Sequence, residues 1–296
     1  MRCFFFMSSL SKIGMPYGLL IALAVAAATL VAQKRRVFRI PFRHEAGLFS
    51  NLLLRNMEYA MCYPQHRLEC AGWPIDVRAL LPWLPRDTGA ESDELPSHAL
   101  GSACYLGNDP RLLMRPCFEY TRLRLSAMVA PGGMFAPADD VRALARSWWK
   151  SELGDAHFVV GIHGRAALHY DDGALDLERH VRLLGDEAAE EIRVAGTRLL
   201  LASCNASIVA QLRARFGAAL AWREPEGDIN TGNFDWGGAK QQVTAEIAKG
   251  ALVDSLLLSM CDVVVCGSSN VMVYAAALRP AMRIRVARHL ADVRGH

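Results

Sequence analysis

Five short apolar runs, at 157–162, 197–202, 219–222, 262–266 and 281–286, alternate with stretches of helical periodicity at 176–184, 207–216, 253–260 and 270–278. That alternation constrains the fold more than any other feature of the chain. Strands that are apolar throughout cannot leave one face in water, so the pattern predicts an α/β fold with a parallel sheet covered by helices on both faces. Ligands of such sheets bind at the carboxyl ends of the strands. The search for chemistry therefore starts there.

The first half is less regular. A strand is expected over 37–42, followed by a turn that contains Glu45, Gly47, Phe49 and Asn51 and opens a helix over 52–62. A Gly turn before a helix leaves backbone N–H groups facing a ligand, although most such turns only reverse the chain. The segment 82–138 is rich in Pro, Gly, Asp and Ser and reads as long loops with few elements. Asp139 and Asp140 read as the N-terminal cap of a helix over 141–152, with Trp148 and Trp149 packed in a seam between domains. With 296 residues, 52% of them hydrophobic, the chain suits two domains. The boundaries expected are 37–155 and 156–296, after a hydrophobic N-terminal segment over 1–36.

Within that segment, 13–32 is an uncharged apolar run of 20 residues, long enough as a helix to cross a bilayer core of about 30 Å. It reads as a single-pass membrane anchor, a cleaved signal peptide or an ordinary helix. Without a span the chain would be cytoplasmic. Arg2 and Lys12 precede the run and Lys34, Arg35 and Arg36 follow it, so charge gives no orientation.

A net charge of +3 with scattered basic residues argues against a nucleic-acid partner. The eight cysteines include no C-x-x-C pair and no histidine at ligand spacing, so no metal site is expected. Cys204, Cys261 and Cys266 read as buried inert thiols, while Cys62 with Cys70, or Cys104 with Cys117, could pair only in an oxidising compartment. The dinucleotide fingerprint G-x-G-x-x-G after a strand, the P-loop and the G-x-S-x-G hydrolase elbow are all absent.

Three stretches near predicted strand ends could carry chemistry. His163-Gly164-Arg165 sets an imidazole and a guanidinium beside the expected crevice, suited to a base or ribose and to phosphate oxygens; a strand-end histidine and a surface ion pair are the plain alternative. Gly267-Ser268-Ser269 opens a helix and so offers N–H groups and hydroxyls to a diphosphate, or simply caps that helix. Asp254 stands at the start of an otherwise apolar helix, where a carboxylate could accept the paired N–H donors of guanine or merely complement the helix dipole.

Together these stretches carry a family resemblance. Val159-Val160-Gly161-Ile162-His163-Gly164-Arg165 resembles the His-x-Arg motif of the fucosyltransferase superfamily, which includes the α-1,6-fucosyltransferases, the nodulation fucosyltransferases and the protein O-fucosyltransferases. The stretch from Asp254 through Leu257-Leu258-Ser259, Cys261-Asp262 and Ser268-Ser269 is similar to the family's aspartate, Leu-Leu-Ser, Cys-Asp, Ser-Ser pattern. Gly47-Leu48-Phe49-Ser50-Asn51 is similar to its glycine-rich acceptor-side loop.

The resemblance implies a GT-B-like fold, two Rossmann-like domains facing a cleft, and transfer of fucose from GDP-fucose with inversion, without metal or other cofactor. It implies that His163 and Asp254 meet guanine or ribose, and that Arg165, Ser268 and Ser269, with Gly267 beside them, hold the diphosphate. Arg165 would neutralise charge on the departing GDP. The acceptor would be a glycan, a protein or a lipid-linked sugar; the resemblance names no general base, and Glu45, at the acceptor-side turn, is either that base or a solvated surface carboxylate. The chain departs from the family pattern at Ala166-Ala167-Leu168 and at Ala202-Ser203-Cys204-Asn205. The alternatives are therefore an inactive nucleotide-sugar-binding protein and a transferase using another nucleotide sugar. Asn205-Ala206-Ser207 is formally a glycosylation sequon.

Overall fold

The computed structural model describes residues 37–41, 48, 67–86, 88, 119–164, 177–192, 196–224, 244–267 and 269–287. Strand β1 (Val37–Pro41) pairs in parallel with β2 (Arg67–Ala71), with Ile40 opposite Cys70. Three helices follow: α1 (Ile75–Ala79), α2 (Glu119–Val129) and α3 (Asp139–Leu153). The remainder alternates β3 (Phe158–His163), α4 (Leu177–Glu191), β4 (Thr197–Ala202), α5 (Ala206–Phe216), β5 (Leu220–Trp222), α6 (Ala245–Met260), β6 (Val263–Cys266), α7 (Asn270–Leu278) and β7 (Arg283–Val286). All five strands of this second sheet are parallel, in the order β5-β4-β3-β6-β7.

Alternation along each strand divides the core in two. Val160, Ile162, Leu199, Leu201, Val263 and Val265 face α4 and α5, where Val181, Leu184, Ile208 and Leu212 cover them. Val159, Leu200, Ala202, Val264 and Cys266 face the other way, onto α6 and α7. This second core runs on without a break through α1, α2 and α3 to Cys70 and Leu48. Two bonds pin α7 to the first half: the Tyr274 hydroxyl donates to the Phe135 carbonyl at 2.6 Å, and the Ser126 hydroxyl to the Ala277 carbonyl at 2.7 Å.

The expected parallel sheet covered on both faces is present, with several boundaries moved. Helix α6 starts at Ala245 rather than 253, capped by Thr244, whose hydroxyl accepts the Ile247 N–H at 3.3 Å. Helix α4 continues to Glu191 rather than 184, because its last turns spend their acidic residues on ion pairs: Asp186 with Arg215 at 2.8 Å, and Glu191 with Arg285 at 2.8 Å. Helix α2 lies inside the segment read as loop and buries Leu125, Met128 and Val129. Asp139 and Asp140 are the first residues of α3 rather than its cap, which is Ala138. Trp148 and Trp149 are half-buried against the core, as packing residues should be. The helix expected over 52–62 lies outside the described residues. So does 13–32, and among the described residues no helix is long and apolar enough to cross a membrane.

Candidate functional site

Register puts the carboxyl ends of four strands side by side: Ala202 of β4 beside His163 of β3, His163 beside Cys266 of β6, and Cys266 beside Val286 of β7. The chain leaves β3 outward through β4 and β5, then returns to lay β6 on the opposite side of β3. Strand order therefore reverses between β3 and β6. Crossovers diverge at such a switch point and leave a crevice above the strand ends.

His163 is the last residue of β3 and is buried. It shares strand parity with Val159 and Gly161, so its side chain lies on the α6 and α7 face. Gly161 sets how close α6 comes. A Cβ there would stand 2.9 Å from Cys261 Sγ and 3.1 Å from both Leu258 Cδ2 and Val264 Cγ2. The helix thus lies directly on the centre of the sheet.

This contact places Asp254. Helix α6 joins the parallel strands β5 and β6 and so runs antiparallel to β3, which lies between them in the sheet. Asp254 is one helical turn above Leu258, about 5–6 Å. His163 is two strand residues above Gly161, about 6.6 Å. Residues i and i+4 of a helix share a face. Asp254 therefore projects from the face that Leu258 lays on Gly161, at the height of His163. It is not at the start of its helix, since α6 begins at Ala245, and so it neither caps α6 nor complements its dipole.

Arg223, just past β5, holds the Asp254 carboxylate. Its Nε and Nη2 reach Asp254 Oδ1 at 3.1 and 2.9 Å, and Nη2 also donates to the Gly250 carbonyl at 2.9 Å. Nothing local in the sequence links residues 31 apart, so Arg223 had no signal there.

On the β6 side, Ser269 is fully buried and caps α7, its hydroxyl accepting the Val271 N–H at 3.2 Å. The capping role is real, and α7 opens four residues past Cys266, the strand partner of His163. Gly267 faces α4, where a Cβ would touch His180 Cε1 at 3.4 Å. His180 is a buried first-turn residue of α4 that sequence reasoning passed over as one more helical position. Gly164 donates its N–H to the Ala202 carbonyl at 3.0 Å, and a Cβ on it would collide with Ile208 Cγ2 at 2.7 Å. The chain thus leaves β3 close against α5. Arg165 and Ser268 lie outside the described residues, as do Glu45, Gly47, Phe49 and Asn51; Leu48, between them, is a buried core residue.

The thiols divide differently from expectation. Cys261 and Cys266 are buried, but Cys204 is exposed on the loop after β4, because the strand ends at Ala202. Cys70 is buried, which pushes its thiol up to about 12 against the opposing charge of Arg78, while Cys62, Cys104 and Cys117 lie outside the described residues. Burial also raises Cys261, with Asp262 adding to it. Asn205 of the sequon caps α5, its side-chain oxygen accepting the Ile208 N–H at 3.0 Å. Among the described residues no three His, Cys, Asp or Glu side chains gather in a metal-holding group.

Solved fucosyltransferase structures are similar to this chain. NodZ α-1,6-fucosyltransferase co-crystallised with GDP has 16% sequence identity and a TM-score of 0.47, over 84% of this chain and 94% of that one. Fucosyltransferase NodZ from Bradyrhizobium gives 16% and 0.46 over the same shares. A mutant of Arabidopsis thaliana FUT1 in complex with GDP gives 15% and 0.46, over 89% of this chain and 74% of that one. No protein-family model and no curated protein matches the chain.

Proposed function

We propose that the chain is an inverting glycosyltransferase that moves fucose from GDP-fucose to a glycan, protein or lipid-linked acceptor, with 156–296 as the donor domain and 37–155 as the acceptor-side domain of a GT-B-like pair. What supports this reading is register: Leu258 of α6 lies on Gly161, and Asp254, one turn before Leu258, is then roughly level with His163 at the end of the central strand. An imidazole and a carboxylate there supply donors and acceptors to a purine base and its ribose. The turn from Gly267 to Ser269 before α7, at the adjacent strand end, would supply backbone N–H groups and hydroxyls for a diphosphate, since the N–H groups of Val271, Met272 and Val273 are spent on Ser269.

In this reading Arg165 neutralises charge on the GDP that departs as the sugar–phosphate bond breaks. Ser268 and Ser269, after Gly267, steady the diphosphate. The acceptor oxygen attacks from the opposite face, which inverts the anomeric carbon, and its proton passes to a base on the acceptor side, for which Glu45 is the candidate. Gly47, Phe49 and Asn51 would border that acceptor. No metal or other cofactor takes part.

Calorimetry on the full chain with GDP, GDP-fucose, GDP-mannose and UDP-glucose tests the reading. Guanine-selective binding is expected, and a folded protein that binds none of the four overturns it. In a donor-turnover assay Arg165→Ala should cost about 10²–10³ in rate, the typical worth of one charge-stabilising donor.

A further inference from the structure

We infer that Arg142, a residue with no part in the transfer proposed above, binds an oxyanion: a phosphate or carboxylate group of a ligand held at the carboxyl rim where α1, α3 and α7 meet.

The Arg142 side chain is 13% exposed and its Nε is buried, but Nε makes no hydrogen bond among the described residues. Its ion pair, to Asp139 Oδ1 at 3.4 Å, is with a carboxylate side chain that is 98% exposed. Asp140, the other acid of that turn, spends Oδ1 on the Val141 N–H at 2.9 Å. Half-buried guanidiniums elsewhere in the chain are better served. Arg78 donates to the carbonyls of Cys70, Leu84 and Pro85, and Arg279 to those of Met260 and Cys261. Taking a guanidinium out of water is costly unless acceptors replace the water, and its planar fork matches two oxygens of one phosphate or carboxylate.

Helix α3 ends at Leu153, shortly before β3 opens at Phe158, so it descends toward the amino end of the sheet. Arg142 stands about 16 Å of helix above Leu153, and His163 about 16 Å of strand above Phe158. Arg142 is thus roughly level with the carboxyl rim. Because α3 packs on α6, which lies on the sheet, Arg142 stands one helix layer, about 8–10 Å, further out than Asp254. Ala138, one turn earlier, donates its N–H to the carbonyl of Leu80, at the end of α1, at 2.8 Å. Toward α7, burial raises the Tyr274 phenol and the Arg142 charge opposes that rise. Arg198 also has a buried Nε without a hydrogen bond among the described residues, but it is the second residue of β4, at the amino end of the sheet, and makes the control.

The test is thermal unfolding of the full chain in rising inorganic phosphate, against chloride at matched ionic strength. Wild type should show a saturable rise in Tm with phosphate, as for any ligand that binds the folded state alone. Arg142→Gln, and Arg142→Met, which keeps the apolar stem, should need about tenfold more phosphate for the same rise, the loss of one charge-assisted contact. Arg198→Gln should behave as wild type. Saturating GDP separates the sources: it removes the Arg142-dependent rise if the oxyanion belongs to the nucleotide, and leaves it if the oxyanion belongs to the acceptor. A wild type whose Tm follows phosphate no more than chloride, or a rise that is equal in wild type and the Arg142 variants, overturns the inference. A wild type that binds no GDP but keeps the Arg142-dependent rise overturns the guanine reading alone.

Discussion

The hydroxyl of Tyr274, in α7, donates to the carbonyl of Phe135 at 2.6 Å, and both residues are wholly buried. This bond ties the helix that follows β6 to the loop between α2 and α3, so the first half of the chain helps to set the position of α7. Burial holds the phenol well above its ordinary ionisation range and keeps it a donor. Tyr274→Phe leaves the Phe135 carbonyl unpaired at a cost of about 1–3 kcal/mol. Thermal unfolding should show it as a fall in Tm of roughly 2–4 °C per kcal/mol.

Gly161→Ala tests the seat of α6. The added methyl meets Cys261, Leu258 and Val264 at 2.9–3.1 Å, and in a close-packed core that overlap costs about 1–3 kcal/mol. Because Asp254 stands one turn above Leu258, the displaced helix should also weaken GDP binding. Gly132→Ala, at a positive-φ turn with open space around it, would be strained locally and should destabilise without touching affinity. Denaturant unfolding and calorimetry on both variants separate the two effects.

The thiols give a third test. Under native conditions at pH 8, Cys204 should react with a maleimide while Cys70, Cys261 and Cys266 stay unmodified until the chain unfolds. Mass mapping of labelled peptides reads this directly. Cys70 and Cys261 are raised in the fold, so the folded state holds their protons more tightly than the unfolded chain, where thiols ionise near ~8.5. The stability this contributes is present below that pH and is lost as pH climbs toward 12. Unfolding free energy should therefore decline steadily above about pH 9.

Sheet and helices of the second half were legible in sequence because each strand there is buried on both faces and reads as an unbroken apolar run, as in Val263–Cys266. β2 was not, because Glu69 in its middle is wholly buried yet polar, satisfied by the Thr88 N–H at 3.1 Å and the Thr88 hydroxyl at 2.6 Å. His163, Gly267 and Ser269 could be singled out as candidates because strand-end turns advertise themselves in the chain, and the structure puts them at the ends of β3 and β6. Asp254 was singled out with its helix begun too late, since Lys249 and Gly250 break the apolar pattern that α6 would otherwise show. Arg223 and His180 reach the crevice only through packing of distant elements, and no local spacing encodes that.

Diffraction from crystals of the full chain soaked with GDP tests the location of the site most directly. The account predicts the diphosphate between the carboxyl ends of β3 and β6, at the first turn of α7, and the base against His163 and Asp254. GDP bound elsewhere on the molecule, or a base turned away from Asp254, would contradict it.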